Sequence, residues 1–313
     1  MSFNRRRLLG LEELTGEEID LILNTAESMK EIFTRQVKKV PTLRGKTIIN
    51  LFYEPSTRTK SSFDLAGKRL SADMMSLSIS MSSVVKGESL VDTAKTLEAM
   101  GAEAVIIRHG IPGTPKLLAE TIDAAVLNAG DGAHEHPTQG LLDMYTIREK
   151  RGKIAGETVL IVGDIKHSRV AKSNIWGLKK LGAEVRVAGP PTLIPPEIEK
   201  MGVEVYYDLE EALVGVDVVN ILRIQLERQE GGFLPSLREY TELYGMNQER
   251  LQLANDGVTV MHPGPMNRGI EIAPEVAYGE ESVITDQIPN GVAVRMALLY
   301  LLTGGEQIEE TTN

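Results

Sequence analysis

The chain has 313 residues, enough for two domains of ordinary size, each with its own core. Its 34 basic against 44 acidic side chains leave a net charge of -10, which excludes the broad basic surface that general nucleic-acid binding needs. It has no cysteine, which removes disulfides, cysteine-ligated zinc, iron–sulfur clusters and thiol nucleophiles at once.

The first twenty residues, MSFNRRRLLGLEELTGEEID, put acidic residues directly after a short apolar patch. A signal-peptide h-region is therefore not expected. No apolar run of about 18 residues predicts a membrane span, and a cytoplasmic location is the expectation. Ile19, Ile22, Leu23, Ala26, Met29 and Phe33 recur at helical spacing, which predicts a helix over 16–38 with Thr15 as its N-cap. TIINLF (47–52) is a short β-branched strand, and TRTKSSFDLAGKRL (57–70) has helical periodicity. MMSLSIS (74–80) alternates like a strand, and SLVDTAKTLEAMG is a helix stopped at Gly101. AVIIRH (104–109) is a buried strand, followed by a short helix near 115–121, the strand AAVLNAG and a helix over 137–150.

The pattern then restarts. TVLIVGD (158–164), a helix over 168–181, the strand EVRVAG (184–189), VEVYY, a helix near 208–214, DVVNIL and GVTVMHP (257–263) follow in order. Residues 292–303 form a strongly apolar last helix. Strands alternating with helices imply parallel sheets built from βαβ units. The polar stretch REKRGKIAGE (148–157) predicts the break between two α/β domains, each a parallel sheet flanked by helices. The expected domains are 1–150, with the C-terminal helix 290–313 packing back on it, and 151–289.

The turn after the first long strand reads YEPSTRTK. Pro55 ends the strand, and Ser56, Thr57 and Thr59 are N-cap-type residues opening a helix. Helix N-termini bind anions through backbone N–H groups and the positive end of the dipole. Arg58 and Lys60 add charge. The segment is either a phosphate cradle without a Gly-rich loop or a capped helix with a solvated basic end.

FYEPSTRTKSSF resembles the carbamoyl-phosphate motif of the transcarbamoylases, whose core is Ser-Thr-Arg-Thr, and the resemblance recurs in order from about residue 50 to residue 295. It is with the aspartate carbamoyltransferase branch of the aspartate/ornithine family. It implies transfer of a carbamoyl group from carbamoyl phosphate to L-aspartate, giving N-carbamoyl-L-aspartate and phosphate, in de novo pyrimidine biosynthesis. It implies no cofactor and no metal, and it leaves a regulatory chain open.

Read on its own, SSVVKGES (82–89) is a flexible solvated loop; the resemblance implies that Ser82 and Lys86 cross a subunit interface to a neighbour's phosphate and aspartate. A homotrimer with shared active sites follows from that. Arg108 ends a strand, where open α/β sheets bind ligands. There it is a surface cap or a clamp, and the resemblance implies contact with the phosphate and the carbamoyl oxygen.

In DGAHEHPTQG (131–140), Asp131, His134, Glu135 and His136 crowd together, but a third metal ligand at the usual spacing is missing and HExxH is absent. The resemblance gives His136 the carbamoyl oxygen and Gln139 the carbamoyl amide. Pro137 and Thr138 open the following helix, and His109, His134 and His167 are expected to be structural or exposed.

TVLIVGDIKHSRVAKS lacks the full G-x-G-x-x-G, which argues against NAD. The resemblance places Arg169, Arg223 and Gln225 on the aspartate, and two guanidinium forks suit a dicarboxylate. It also gives the carbonyls of Pro263 and Gly264, with Pro265 in the same loop, to the carbamoyl NH2 and the incoming amine. Glu54 would latch the domains closed by pairing with Arg169 and Arg228.

The implied order is carbamoyl phosphate first, on Ser56, Thr57, Arg58, Thr59, Arg108 and Lys86, then aspartate. Thr59, Arg108 and His136 would stabilise the tetrahedral oxyanion. Ornithine carbamoyltransferases carry a His-Cys-Leu-Pro loop where this chain reads His-Pro-Gly-Pro. Ornithine's ammonium would also be repelled by Arg223. The remaining alternatives are another amino-acid carbamoyltransferase and a non-catalytic carbamoyl-phosphate-binding subunit.

Overall fold

The structure is a computed structural model that describes residues 3–78, 89–224 and 236–304. Two compact units divide the chain, one of residues 1–138 with 289–313 and one of 139–288. The division falls inside the helix Pro137–Arg151, some residues before the polar stretch where the sequence predicts it.

In chain order the first unit has β1 (Arg7–Leu8), α1 (Gly16–Glu31), β2 (Thr47–Phe52), α2 (Thr57–Arg69), β3 (Asp73–Ser78), α3 (Leu90–Ala99), β4 (Ala102–His109), α4 (Thr114–Thr121) and β5 (Ala125–Asp131). Helix α5 (Pro137–Arg151) follows. The second unit has β6 (Thr158–Val162), α6 (Arg169–Lys180), β7 (Glu184–Ala188), β8 (Glu204–Tyr206), α7 (Leu209–Leu213), β9 (Val218–Ile221), α8 (Leu237–Tyr244), α9 (Gln248–Leu251), β10 (Thr259–Met261) and α10 (Pro274–Ala277). The last helix, α11 (Gln287–Thr303), returns to the first unit from Pro289 onward.

Each unit holds one five-stranded sheet, ordered β1-β5-β4-β2-β3 in the first and β10-β9-β6-β7-β8 in the second. Every pairing is parallel. Parallel strands are covered on both faces, so their sequences run apolar without alternation. That is why Ile48, Ile49 and Leu51 in β2, Val105 to Ile107 in β4 and Val159 to Val162 in β6 are all buried. In the first unit Ile49, Leu51, Val105, Ile107 and Val126 pack with Leu97, Leu118 and Ile122. In the second, Leu160, Val162, Val219 and Ile221 pack with Leu213, Tyr240 and Val276.

Helix α1 stops at Glu31, continues as a short 3-10 turn over Ile32–Thr34, and does not reach residue 38. Only Ile32 of that turn is buried, and the exposed residues 34–39, polar except for Val37, offer no apolar stripe to carry it further. Its start is strong: Thr15 accepts from the Glu18 N–H while Glu18 accepts from the Thr15 N–H, a complete capping box. The apolar α11 is held to the first unit at two points. Arg295 lies over the Phe63 ring and donates to Ser62 Oγ at 3.0 Å, and Lys46 donates to the Thr303 carbonyl at 2.5 Å. The expected return of the last helix to the first domain is what the structure shows.

Candidate functional site

In the first sheet the chain leaves β2 for β3 on one side and then crosses to β4 on the other, so the order switches between β2 and β4. Ligands of open α/β sheets bind outside the carboxyl ends of strands at such switch points. Here the two ends are in register, Phe52 beside Arg108, and the Tyr53 N–H donates to the Arg108 carbonyl at 2.9 Å. The YEPSTRTK turn and Arg108 therefore meet at one place.

Ser56 is the N-cap of α2 but makes no side-chain capping bond, so its hydroxyl is not spent on its own helix. Thr57 and Arg58 are exposed, and Thr59 is buried, 8% exposed, on the helix's inner side. The first-turn N–H groups of a helix have no partner within it. Ser56, Thr57, Arg58 and Thr59 thus open a helix directly after a strand end, where the helix dipole is positive.

The Arg108 guanidinium donates to the Ala129 carbonyl at 3.2 Å and lies 3.3 Å from Glu54 Oε2. Those contacts set its plane. Glu54 thus has an ion-pair partner in its own unit, a contact the sequence reading, which pairs it with Arg169 and Arg228, does not include.

At the neighbouring strand end, Asp131 is 1% exposed. Burial would raise its carboxyl, but hydrogen bonds from His134, the Gly113 N–H and Asn128 outweigh that and hold it below the usual carboxylate range. Glu135, also 1% exposed, accepts the N–H groups of Leu11 at 2.7 Å and Glu12 at 3.2 Å. A side chain on Gly10 would collide with it. Glu135 is thus taken up by backbone donors, and Asp131 by backbone donors together with Asn128 and His134.

His136 is buried just before α5, with Thr138 Oγ1 3.5 Å from its Nδ1. His109 packs on the Tyr53 ring, and its Nδ1 accepts the Ile111 N–H at 2.9 Å. Burial lowers its pKa against the pull of Glu54 and Asp131, which keeps that nitrogen an acceptor.

In the second sheet the order switches between β6 and β9, and Val162 lies beside Ile221. Gly163 has φ of +126°, and a Cβ there would lie 3.2 Å from the Leu222 carbonyl and from the Tyr240 hydroxyl. Only glycine fits this close crossing of the two strand ends. Beyond it, Ser168 caps α6 and Arg169 is its first residue, 3% exposed. A cation at a helix N-terminus opposes the dipole. Arg223 follows β9 by one residue after Leu222, at the partner strand's carboxyl end. Arg169 and Arg223 thus both follow strands that meet at the second switch point. His167, whose Nδ1 lies 2.8 Å from buried Asp164, belongs to the same turn.

The loop after β10 carries Pro263, Gly264 and Pro265. His262 organises it. Its Nδ1 accepts the Gly264 N–H at 2.8 Å, its Nε2 faces Glu271 Oε1 at 3.3 Å, and Glu271 also accepts the Asn267 N–H. With Nδ1 accepting, the proton belongs on Nε2, so the ring bridges loop and carboxylate.

Sequence reasoning misses this pair, and it misses Asp143. Asp143 is fully buried on α5 and accepts from Gln139 at 2.9 Å, Gln287 at 2.8 Å, Asn174 at 2.8 Å and Asn220 at 3.4 Å. Ser82, Lys86, Gln225 and Arg228 lie outside the described residues. Among the described residues no group of three His, Asp or Glu side chains is arranged to hold a metal. No helix among them is long and apolar enough to cross a membrane.

Residues 6–149 match the family model described as the carbamoyl-P binding domain of aspartate/ornithine carbamoyltransferase, and residues 155–302 match that of its Asp/Orn binding domain. The chain is 69% identical over 310 residues to the aspartate carbamoyltransferase catalytic subunit of Halothermothrix orenii, covering 99% of each. It is 66% identical over 305 residues to that of Moorella thermoacetica, covering 97% of this chain and 99% of the relative.

Among solved structures, aspartate transcarbamoylase from Trypanosoma cruzi in complex with carbamoyl phosphate and aspartate superposes with a TM-score of 0.85 at 29% identity, covering 94% of this chain and 95% of that one. Ornithine carbamoyltransferase from Pyrococcus furiosus also reaches 0.85, at 31% identity, covering 98% of this chain and 100% of that one. The backbone alone does not separate the two activities; the chain-long identity does.

Proposed function

The chain belongs to the aspartate/ornithine carbamoyltransferase family, and we infer that it transfers the carbamoyl group of carbamoyl phosphate to L-aspartate, giving N-carbamoyl-L-aspartate and phosphate. The choice of aspartate is supported first by the chain-long identity to aspartate carbamoyltransferase catalytic subunits, and then by Arg169 and Arg223, which follow the two strands that meet at the second switch point. Two fixed cations match two carboxylates, and they would repel the side-chain ammonium of ornithine.

In this reading Ser56, Thr57, Arg58, Thr59 and Arg108 hold the phosphate, joined by Ser82 and Lys86 of a neighbouring copy. Arg169, Arg223 and Gln225 receive aspartate, with Lys86. Gln139 and the carbonyls of Pro263 and Gly264 accept from the carbamoyl NH2 and the amine, with Pro265 shaping that loop. Holding amine and carbonyl carbon together supplies several kcal/mol as a proximity effect.

Attack makes a tetrahedral oxyanion that Thr59, Arg108 and His136 stabilise. Each such donor contributes about 3–4 kcal/mol in a water-excluded site. The amine attacks the carbonyl carbon itself, so no enzyme nucleophile is needed, and its proton goes to the departing phosphate, so no side chain has to act as the base. Glu54 pairs with Arg169 and Arg228 as a latch for domain closure. A homotrimer with shared sites and a role in pyrimidine biosynthesis belong to the same proposal and rest on the family resemblance; a cytoplasmic location belongs to it as the expectation drawn from the sequence.

The test is product identification with carbon-13-labelled carbamoyl phosphate. The expected result is label on the aspartate nitrogen, with one phosphate released per label transferred. Label found only in carbonate would overturn the reading. For the shared site, Lys86→Ala and His136→Ala chains are mixed after separate purification. Recovered activity in the mixture supports sharing, and none opposes it.

A further inference from the structure

The contacts of Asp143 lead beyond the ligand-touching residues. Residues of the second unit on five elements bring polar groups together: α5 with Gln139 and Asp143, α6 with Asn174, β9 with Asn220, the start of α11 with Gln287, and the loop after β10 with the His262 backbone. Asp143 Oδ1 accepts from Gln139 Nε2 and Gln287 Nε2, and its Oδ2 accepts from Asn174 and Asn220. An ionised carboxylate only accepts. Each of the four amides therefore turns its NH2 inward and its oxygen outward. For Gln287 the outward oxygen accepts the His262 N–H at 3.1 Å, which holds the start of the Pro263–Pro265 loop. For Gln139 the outward oxygen is the acceptor that a carbamoyl NH2 needs.

We propose that Asp143 is a positioning residue of the reaction: it fixes the amide of Gln139 with its oxygen toward the carbamoyl NH2 and, through Gln287, ties that amide to the loop after β10. This rests on the reading of Gln139 and that loop as carbamoyl contacts. Burial pushes the Asp143 carboxyl up to about 6 against the pull of the four amides, so the group is an acceptor at neutral pH.

The two sides of the cluster differ. Asn174 Oδ1 and Asn220 Oδ1 have no hydrogen-bond partner among the described residues, so turning those amides breaks nothing on their far side. Turning Gln287 breaks the bond to His262. Asp143→Asn alone therefore directs its new NH2 toward Asn174 and leaves Gln139 as it was. Moving the carboxylate deliberately separates the cases. In Asp143→Asn with Asn174→Asp, the new NH2 faces the carboxylate placed at position 174, and Gln139 keeps its orientation. In Asp143→Asn with Gln287→Glu, the new NH2 faces the carboxylate placed at position 287, which still accepts the His262 N–H. Gln139 must then turn its oxygen inward and present NH2 to the carbamoyl NH2.

The experiment measures kcat and KM for carbamoyl phosphate, and calorimetric binding of phosphonoacetamide, which keeps the amide and the phosphonate but transfers nothing. Melting temperatures of both doubles accompany them. The pair carrying Asn174→Asp should stay within about threefold of the parent in kcat/KM and affinity. The pair carrying Gln287→Glu should lose about tenfold or more in both at a similar melting temperature, one hydrogen bond having become a donor–donor clash. Equal values for the two doubles, or a loss that tracks melting temperature alone, would overturn the proposal. If the parent binds phosphonoacetamide but turns nothing over, the assigned reaction fails while the binding difference still decides the role of Asp143. A parent that binds none overturns both.

Discussion

Replacing Glu135 by glutamine tests how the first unit's site is anchored. The side chain is 1% exposed, and the exchange keeps its shape while turning one acceptor oxygen into NH2. In the protein one oxygen takes the Leu11 N–H at 2.7 Å and the other the Glu12 N–H at 3.2 Å. Whichever way the amide settles, one backbone N–H meets another donor. The lower-cost orientation keeps oxygen on Leu11, the shorter and more buried bond. The Glu12 bond is lost and the Leu11 bond is no longer charge-assisted. Together these cost about 3 kcal/mol. For folding units of this size that lowers the melting temperature by roughly 6–12 °C. Calorimetry of parent and Glu135→Gln at one protein concentration measures it. A shift under about 2 °C would refute the reasoning that this carboxylate ties residues 11 and 12 to the 131–136 loop.

Further outcomes follow from single contacts. Arg223→Leu should raise KM for aspartate about 100-fold while phosphonoacetamide binds as before, since a charged hydrogen-bond donor to a carboxylate is removed; an unchanged KM opposes the assignment. Thr15→Ala breaks the capping box of α1 and should cost about 1 kcal/mol, read from denaturant unfolding with m unchanged. Asp143 makes stability depend on pH in a defined direction. Its folded pKa of about 6 exceeds the ordinary value of 3.8, so the folded chain keeps a proton that the unfolded chain has lost between those values. Stability therefore falls as pH rises through that window, by about 3 kcal/mol in total. The parent should lose stability relative to Asp143→Asn between pH 4 and pH 7, roughly by that amount. A constant difference across the range contradicts it.

Much of this architecture is legible in the residues because local and global signals agree. TIINLF is apolar and β-branched and becomes a central strand, and Thr15 followed by Glu18 opens a helix as a capping box should. The Ser56–Thr59 segment is legible because strand, proline and N-cap residues occur in order. Helix α8 escapes the sequence reading although Ser236 caps it and Tyr240 and Tyr244 fall four apart on one buried face. Aromatic residues at that spacing suit a helix and a strand end alike. Strand β1 has two residues, too few for any periodicity.

The supporting carboxylates are illegible for a different reason. Glu135 finds its partners 124 and 123 residues away, and Asp143 is met by side chains as distant as Gln287. Sequence shows an acid and its near neighbours in the chain, not the distant groups that meet it. Only the fold shows that a backbone segment or four amides have already claimed it.

The central claim is that two arginines at the second switch point select a dicarboxylate acceptor. The most direct measurement is phosphate release from carbamoyl phosphate by the purified chain, comparing kcat/KM for L-aspartate and L-ornithine under the same conditions. The account predicts a preference for aspartate of about 10⁴-fold or more, as expected when a site built around charged groups meets the wrong charge. Comparable values, or a preference for ornithine, would contradict it.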